Sequence, residues 1–326
     1  TSGLEITTVG FGAWAAGGGG WSFGWGPQDD EASIAAMRRA IDGGVNWIDT
    51  AAVYGLGHSE EVVGEFVCRL PPADRPLVFT KCGLVWDESN RMAVAARNLR
   101  PESIGREAEA SLRRLRVPAI DLYQFHWPDE TGTAVEDSWG AMVRLVEEGK
   151  VRAIGVSNFS VALLERCEAV RHVDSLQPPL SPIKREVAGV QRPWCLAHGT
   201  GIIAYSPMQS GILTESFSRD RVGAFAADDW RRKGLEFQSP QLERNLALRD
   251  ALTPIAARHH TTVSAVAIAW VLAWPGLTGA IVGARSPEQV DGWLPAARLA
   301  LDPADLEEIA AAIERSGAGS GPALPA

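Results

Sequence analysis

From Thr8 onward the chain alternates short apolar runs with longer amphipathic segments. The short runs, at 9–12, 45–49, 77–81, 120–126, 151–157, 175–177, 201–205 and 279–282, predict strands buried on both faces. The segments between them carry apolar residues at helical spacing and predict helices over 30–43, 59–68, 101–115, 134–148, 160–170, 185–197, 242–258 and 286–294. Pro101-Glu102 suits a first helical turn, and Ser286-Pro287-Glu288 pairs an N-cap serine with a proline at the first helical position. Strands alternating with helices in this number predict an α/β protein, a closed (β/α)8 TIM barrel. A doubly wound sheet would carry G-x-G-x-x-G after an early strand. The Gly17–Gly20 run is followed by Trp21 and Phe23 rather than a helix start, so it predicts a flexible loop.

Other segments depart from the alternation. Residues 264–272 predict an extra apolar helix, and 303–315 a C-terminal helix on the outside. Residues 210–241 form a connection far longer than the usual few residues, expected as a lid or a disordered insertion. No linker divides the chain. A single barrel domain is expected over 1–316, with a disordered tail at 317–326.

The length, 326 residues, suits one barrel, and 46% apolar content can fill it. A net charge of −9 argues against nucleic acid or a membrane surface as the main partner. No uninterrupted apolar stretch is long enough to predict a transmembrane helix. Thr1-Ser2-Gly3 lacks Met and a signal-like run, the start expected of a trimmed chain. Cys68, Cys82, Cys167 and Cys195 show no C-x-x-C spacing and no Cys/His cluster. Free thiols in a reducing cytoplasm, and no metal site, are the expectation. Of the 12 tryptophans, Trp21, Trp25, Trp86 and Trp127 fall in predicted loops.

In a barrel, the residues after each strand share the rim where active sites are built. Asp49 and Tyr54 follow the second strand, Lys81 ends the third, and His126 ends the fourth. Ser157-Asn158, Gln177, Tyr205, and Gly283 with Arg285 end the remaining four. Taken singly, each has an ordinary reading: Lys81 as a strand-end salt-bridge partner of Asp49, His126 as a core histidine, Ser157-Asn158 as a helix cap. Their convergence on one mouth points to a site. A tyrosine is a poor acid or base near neutral pH unless its pKa is lowered, and a neighbouring lysine ammonium would lower it. Asp49 would orient that lysine, and His126 would position a carbonyl oxygen or relay a proton. Such a tyrosine suits protonating an alkoxide as it forms on a carbonyl. No side chain supplies a hydride, so a nicotinamide cofactor is implied.

The chain resembles the aldo-keto reductase family. The resemblance rests on Gly10-Phe11-Gly12-Ala13-Trp14, Asp49-Thr50-Ala51-Ala52-Val53-Tyr54-Gly55, Thr80-Lys81, His126-Trp127-Pro128-Asp129 and Gly155-Val156-Ser157-Asn158-Phe159. It extends through Tyr205-Ser206-Pro207-Met208-Gln209-Ser210-Gly211 and Ile281-Val282-Gly283-Ala284-Arg285-Ser286-Pro287-Glu288-Gln289. It implies a catalytic tetrad of Asp49, Tyr54, Lys81 and His126, with Tyr54 as general acid/base in carbonyl reduction or alcohol oxidation. It places Gly12, Ala13, Trp14 and Asp49 beside the cofactor, and Ser157, Asn158 and Gln177 on its carboxamide. Tyr205 would stack on the nicotinamide ring. Ser206, Met208, Ser210 and Gly211 would line the pyrophosphate, and Gly283, Arg285 and Gln289 would serve the adenosine end. Arg285, with the helix start beside it, would bind a 2′-phosphate, favouring NADPH, with NAD also compatible.

Members usually begin with a β-hairpin plugging the barrel floor; here only residues 4–7 are left for its second strand. Gly292-Trp293 stands where the family often contacts adenine. Trp21, Trp25, Trp86 and Trp127, with Tyr54 and His126, are expected to wall the substrate pocket. The expected partner is a small carbonyl or alcohol, with no nucleic acid or membrane, in a monomer or homo-oligomer. Two further readings are a non-enzymatic cofactor-binding subunit resembling the potassium-channel β subunits and a lyase with Lys81 as Schiff-base nucleophile. The latter leaves Tyr54, Gln177 and Tyr205 without roles.

Overall fold

A computed structural model describes residues 3–225 and 229–325. Residues 226–228 of the expected long loop, Thr1 and Ser2 at the start, and Ala326 of the expected tail lie outside the described residues. The strands are β1 (Val9–Gly12), β2 (Trp47–Asp49), β3 (Leu77–Cys82), β4 (Leu84–Val85), β5 (Ala96–Arg97), β6 (Ile120–Phe125), β7 (Val151–Ser157), β8 (Ser175–Gln177), β9 (Gly201–Ala204) and β10 (Leu277–Gly283). All but β4 and β5 close a parallel barrel in the order β1-β10-β9-β8-β7-β6-β3-β2. β4 and β5 form a small antiparallel pair after β3, too short for the hydrophobic pattern to reveal.

The helices are α1 (Asp30–Asp42), α2 (His58–Cys68), α3 (Pro101–Leu115), α4 (Val135–Glu147), α5 (Val161–Glu168), α6 (Glu186–Gly189), α7 (Gln191–His198), α8 (Arg219–Gly223), α9 (Gln241–Arg258), α10 (Val263–Leu272), α11 (Pro287–Trp293) and α12 (Pro303–Ser316). Their starts follow local chemistry. Asp29 accepts from the Ala32 N–H to cap α1, and Asp302 with Asp305 forms a capping box on α12. The helix expected over 185–197 is broken into α6 and α7 at Val190, between Gly189 and a proline, Pro193, in the first turn of α7. No helix among the described residues is long and apolar enough to cross a membrane.

Side chains alternate across a strand, so one face of each barrel strand fills the interior. Trp47, Phe79, Leu122, Ala153, Ile203 and Ile281 make up an apolar layer there. Two residues further along the same strands, on the same face, come Asp49, Lys81, Gln124, Gly155, Tyr205 and Gly283. The apolar floor and the polar mouth are thus successive layers of one alternation.

Residues 4–7 form no strand, unlike the hairpin expectation. Leu4 and Ile6 pack on the apolar floor layer, and the Trp47 indole N–H donates to the Thr7 carbonyl at 2.8 Å. The tail after Ser316, expected to be disordered, instead lies against the barrel. Ala318 is buried, Lys184 bridges to Ser320, and the Arg185 guanidinium donates to the carbonyls of Ala318 (3.1 Å) and Gly321 (3.2 Å). A side chain at Gly319 would sit 1.5 Å from the Ile183 carbonyl oxygen, so only glycine fits there.

Trp47 fits inside the barrel because β1 carries glycine opposite it; a Cβ at Gly10 would lie 2.1 Å from the indole. Gly10→Ala is therefore expected to cost about 1–3 kcal/mol by overpacking. It should lower the urea midpoint with the slope unchanged. An unchanged midpoint would show that the floor can relax around the methyl group.

Candidate active site

The deepest polar contact of the mouth is between Lys81 and Asp49, 1% and 3% exposed. The ammonium donates to Asp49 Oδ1 at 2.5 Å and to the Thr50 carbonyl at 2.9 Å, while Gln177 Nε2 donates to Asp49 Oδ2 at 2.9 Å. Burial pushes the Asp49 carboxyl up and the Lys81 ammonium down, and their mutual attraction opposes both shifts. The nearby Gln124 side chain also favours the ionised Asp49.

Tyr54 and His126 stand above this pair with part of their surface on the cavity, though protein surrounds both rings. Their centroids are 5.6 Å apart at 78°, and Lys81 Nζ lies 5.3 Å from the Tyr54 centroid. The Tyr54 loop is fixed by the Tyr54 N–H donating to the Ala51 carbonyl (3.0 Å) and the Ser59 N–H donating to the Tyr54 carbonyl (3.1 Å). The Ser59 hydroxyl then donates to the Ala13 carbonyl at 2.7 Å, tying this loop to the one after β1. The two backbones meet at glycines: a Cβ on Gly55, which has φ +65°, would lie 2.3 Å from the Gly17 carbonyl oxygen.

The expectation that Lys81 lowers the Tyr54 pKa is not met. Burial, with Asp49 and Tyr205 nearby, holds the phenol well above its usual value. The lysine charge is spent on Asp49, so Tyr54 stays protonated, the form that donates. Burial and the Lys81 charge hold His126 well below the ordinary imidazole range, so it stays neutral.

Asn158, at φ +63°, joins three strand ends. Its amide donates to the His126 carbonyl and to Ser157 Oγ, both at 3.0 Å, and its oxygen accepts from the Tyr205 hydroxyl at 2.9 Å. The Ser157 hydroxyl donates to the Gln177 carbonyl at 2.7 Å. Both Asn158 N–H groups are thereby engaged, leaving acceptor capacity toward any bound carboxamide. After β9 the backbone takes left-handed conformations at Ser206, Gln209, Ser210 and Gly211, a strained turn of a kind that gathers at ligand-binding sites.

One cavity of about 880 Å³ runs from the tetrad side chains to α11. Gly12, Trp14, Asp49, Ser157, Asn158, Gln177, Tyr205, Ser206, Met208, Ser210, Gly211, Gly283, Arg285 and Gln289 all line it. Ala13 does not; it is buried and its N–H donates to the Asp49 carbonyl at 2.8 Å. Lys81 lies beneath the lining. The Arg285 guanidinium is held by protein: Nε donates to Gln28 Oε1 at 2.6 Å, and the other nitrogens to the carbonyls of Trp25 and Pro27.

Trp21, Trp25 and Trp127 line the cavity. Trp86 is not among the lining residues; it packs against Trp21, Ala51 and Val53. Gly17–Gly26 is no loose loop: Trp21 is buried, and the Trp14 indole N–H donates to the Phe23 carbonyl at 3.1 Å. Sequence reasoning missed Gln124, Phe23, Arg97 and Trp230. The inward parity of β6 would have found Gln124. The only signal for Trp230 was an isolated tryptophan within the long loop, and that loop is not loose either: Phe217, Phe225 and Phe237 are buried against one another.

A model of the aldo/keto reductase family matches residues 8–314. The aldo-keto reductase YhdN of Bacillus subtilis is 35% identical over 291 residues, 89% of this chain and 85% of that protein. The NADH-specific methylglyoxal reductase of Escherichia coli is 32% identical over 329 residues, covering 97% and 98%. Among solved structures, the glycerol dehydrogenase of Gluconobacter oxydans is similar with a TM-score of 0.87 and 35% identity, over 98% of this chain and 95% of that one.

The depressed His126 pKa makes a stability prediction. The unfolded imidazole takes up a proton near pH 6.5 while the folded one resists, so stability is full above that pH and falls as the pH drops toward the lower folded pKa. His126→Gln should flatten this fall, which has a slope of at most about 1.4 kcal/mol per pH unit. Urea unfolding at intervals from pH 7 to 5 measures it, and identical slopes in the two proteins would rule out a buried neutral imidazole.

Proposed function

The chain belongs to the aldo/keto reductase family, and we propose that it is an NADP(H)-dependent carbonyl oxidoreductase with Tyr54 as general acid/base. The family acts on small carbonyl compounds with nicotinamide cofactors. The activities named for relatives, on methylglyoxal and glycerol, support a small oxygenated substrate. The observation that carries the Tyr54 assignment is the convergence of its ring with that of His126, 5.6 Å away, on the cavity above the Lys81–Asp49 pair.

When bound, the nicotinamide supplies or accepts the hydride. His126 and Tyr54 converge on the carbonyl oxygen, His126 orienting it and Tyr54 giving up its proton as negative charge develops there. Lys81, fixed by Asp49 and Thr50, keeps a cation 5.3 Å from the ring that takes on the phenolate charge, which offsets only part of the larger burial cost. Asp49 keeps the lysine charged, and Gln177 keeps Asp49 in place. The indole walls exclude water from the reacting oxygen, which strengthens each of these interactions. Tyr205, Ser157, Asn158 and Gln177 would hold the nicotinamide end, the strained 206–211 turn the pyrophosphate, and Gly283, Arg285 and Gln289 the adenosine.

The preference for NADP(H) rests on positive charge at the adenosine end. Burial, with Arg231 and Arg221 nearby, opposes the protonation of Arg285, and a 2′-phosphate would offset that.

Tyr54→Phe should reduce kcat by at least ~100-fold while leaving cofactor affinity nearly unchanged. Steady-state turnover of an aldehyde, with cofactor titration by fluorescence, checks both, and normal turnover would remove Tyr54 from the mechanism. Arg285→Ala should weaken NADPH more than NADH by roughly 2 kcal/mol, the scale of a charge-assisted hydrogen bond. Equal weakening of the two cofactors would refute the 2′-phosphate assignment.

A further inference from the structure

We propose that Trp230, on the long connection between β9 and α9, is a wall of the substrate site and sets the size of the carbonyl compound accepted. The inference rests on the carbonyl oxidoreductase reading above. Three rings stack in sequence from the reacting group outward. Trp14 lies on Tyr54 with centroids 5.8 Å apart at 19°, and Trp230 lies on Trp14 at 5.6 Å and 16°. Trp25 closes the edge of this stack, 5.3 Å from Trp14 and 5.9 Å from Trp230, nearly perpendicular to both. All four rings line the cavity. A residue 176 positions from Tyr54 in sequence thus completes the aromatic wall that begins at it.

Trp230 is held firmly enough to act as a boundary. Its neighbour Arg231 is buried, pairs with Asp229 at 3.0 and 2.6 Å, and places its guanidinium 4.5 Å over Trp25 and 4.0 Å over Phe225. Phe237 meets the Trp230 ring edge-on at 6.1 Å. Such pairs add to the large area that each ring buries. Two cations near this wall are paired, Arg231 with Asp229 and Arg97 with Glu130. The stacked rings themselves present flat apolar surface, suited to small uncharged carbonyl compounds.

The experiment compares wild type, Trp230→Ala and Trp230→Phe on glyceraldehyde and 2-naphthaldehyde with NADPH, alongside the NADPH Kd from fluorescence quenching. Trp230→Ala should shift the kcat/KM ratio toward naphthaldehyde by ~10-fold or more, the scale of a lost pocket wall. Trp230→Phe should restore most of the wild-type ratio, and the NADPH Kd should stay within about threefold. An unchanged substrate ratio in both variants overturns the inference. A loss of NADPH affinity that accounts for the whole effect does so too, since Trp230 would then serve the cofactor. A wild-type protein that turns over neither aldehyde would overturn the parent reading and this one with it, whereas normal wild-type turnover with unaltered variants sinks only the role of Trp230.

Discussion

The buried ion pair between Lys81 and Asp49 is the constraint on which the rest of the site depends. Each charge would be costly alone in the barrel, and removing either partner of such a pair typically costs about 3–5 kcal/mol. The pair is tolerable only because the remaining polar atoms are answered, by the Thr50 carbonyl and by the amide of Gln177. Those partners come from different strands, so the barrel must close in this register for the charges to be accommodated. The same closure sets Tyr54 and His126 over the ammonium. Stability and reactivity at the mouth therefore draw on one arrangement rather than two.

Most of the barrel was legible because period-two strands and period-3.6 helices leave strong marks in a sequence. The polar strand ends were legible for the same reason, since Asp49, Lys81 and Gln177 each interrupt or close an apolar run. What could not be read was whatever depends on long-range contact. The packing of residues 4–7 joins them to Asn46 and Trp47, about forty positions away, so it has no local signature. The tail after Ser316 has a composition that suggests disorder, yet Arg185 supplies the donors its carbonyls need. Trp86 and Trp230 make the same point from opposite sides: both are tryptophans in irregular segments, and only the fold decides which one faces the cavity.

The pKa pattern shows the same dependence on context. From residue types alone, a lysine beside a tyrosine predicts a more acidic phenol. In the folded site the lysine is already neutralised by Asp49, and desolvation becomes the larger effect. Burial favours the uncharged forms of both Tyr54 and His126. The long connection after β9 shows that length alone does not imply disorder, because aromatic side chains spaced along it can build a small core of their own.

The contact between Gly17 and Gly55 divides the pocket in a way that bears on how such an enzyme can diversify. Where two backbones touch without side chains, neither can gain a methyl group or shift independently, so the inner part of the first loop is bound to the tyrosine loop. Beyond that weld, from Trp21 to Pro27, the same loop is joined to the rest by ring contacts, by the Ser22 hydroxyl donating to the Met92 and Ala93 carbonyls and by Arg285, contacts that other residues could replace one at a time. The outer rim can therefore change while the pairing of the Tyr54 loop with the loop after β1 stays fixed.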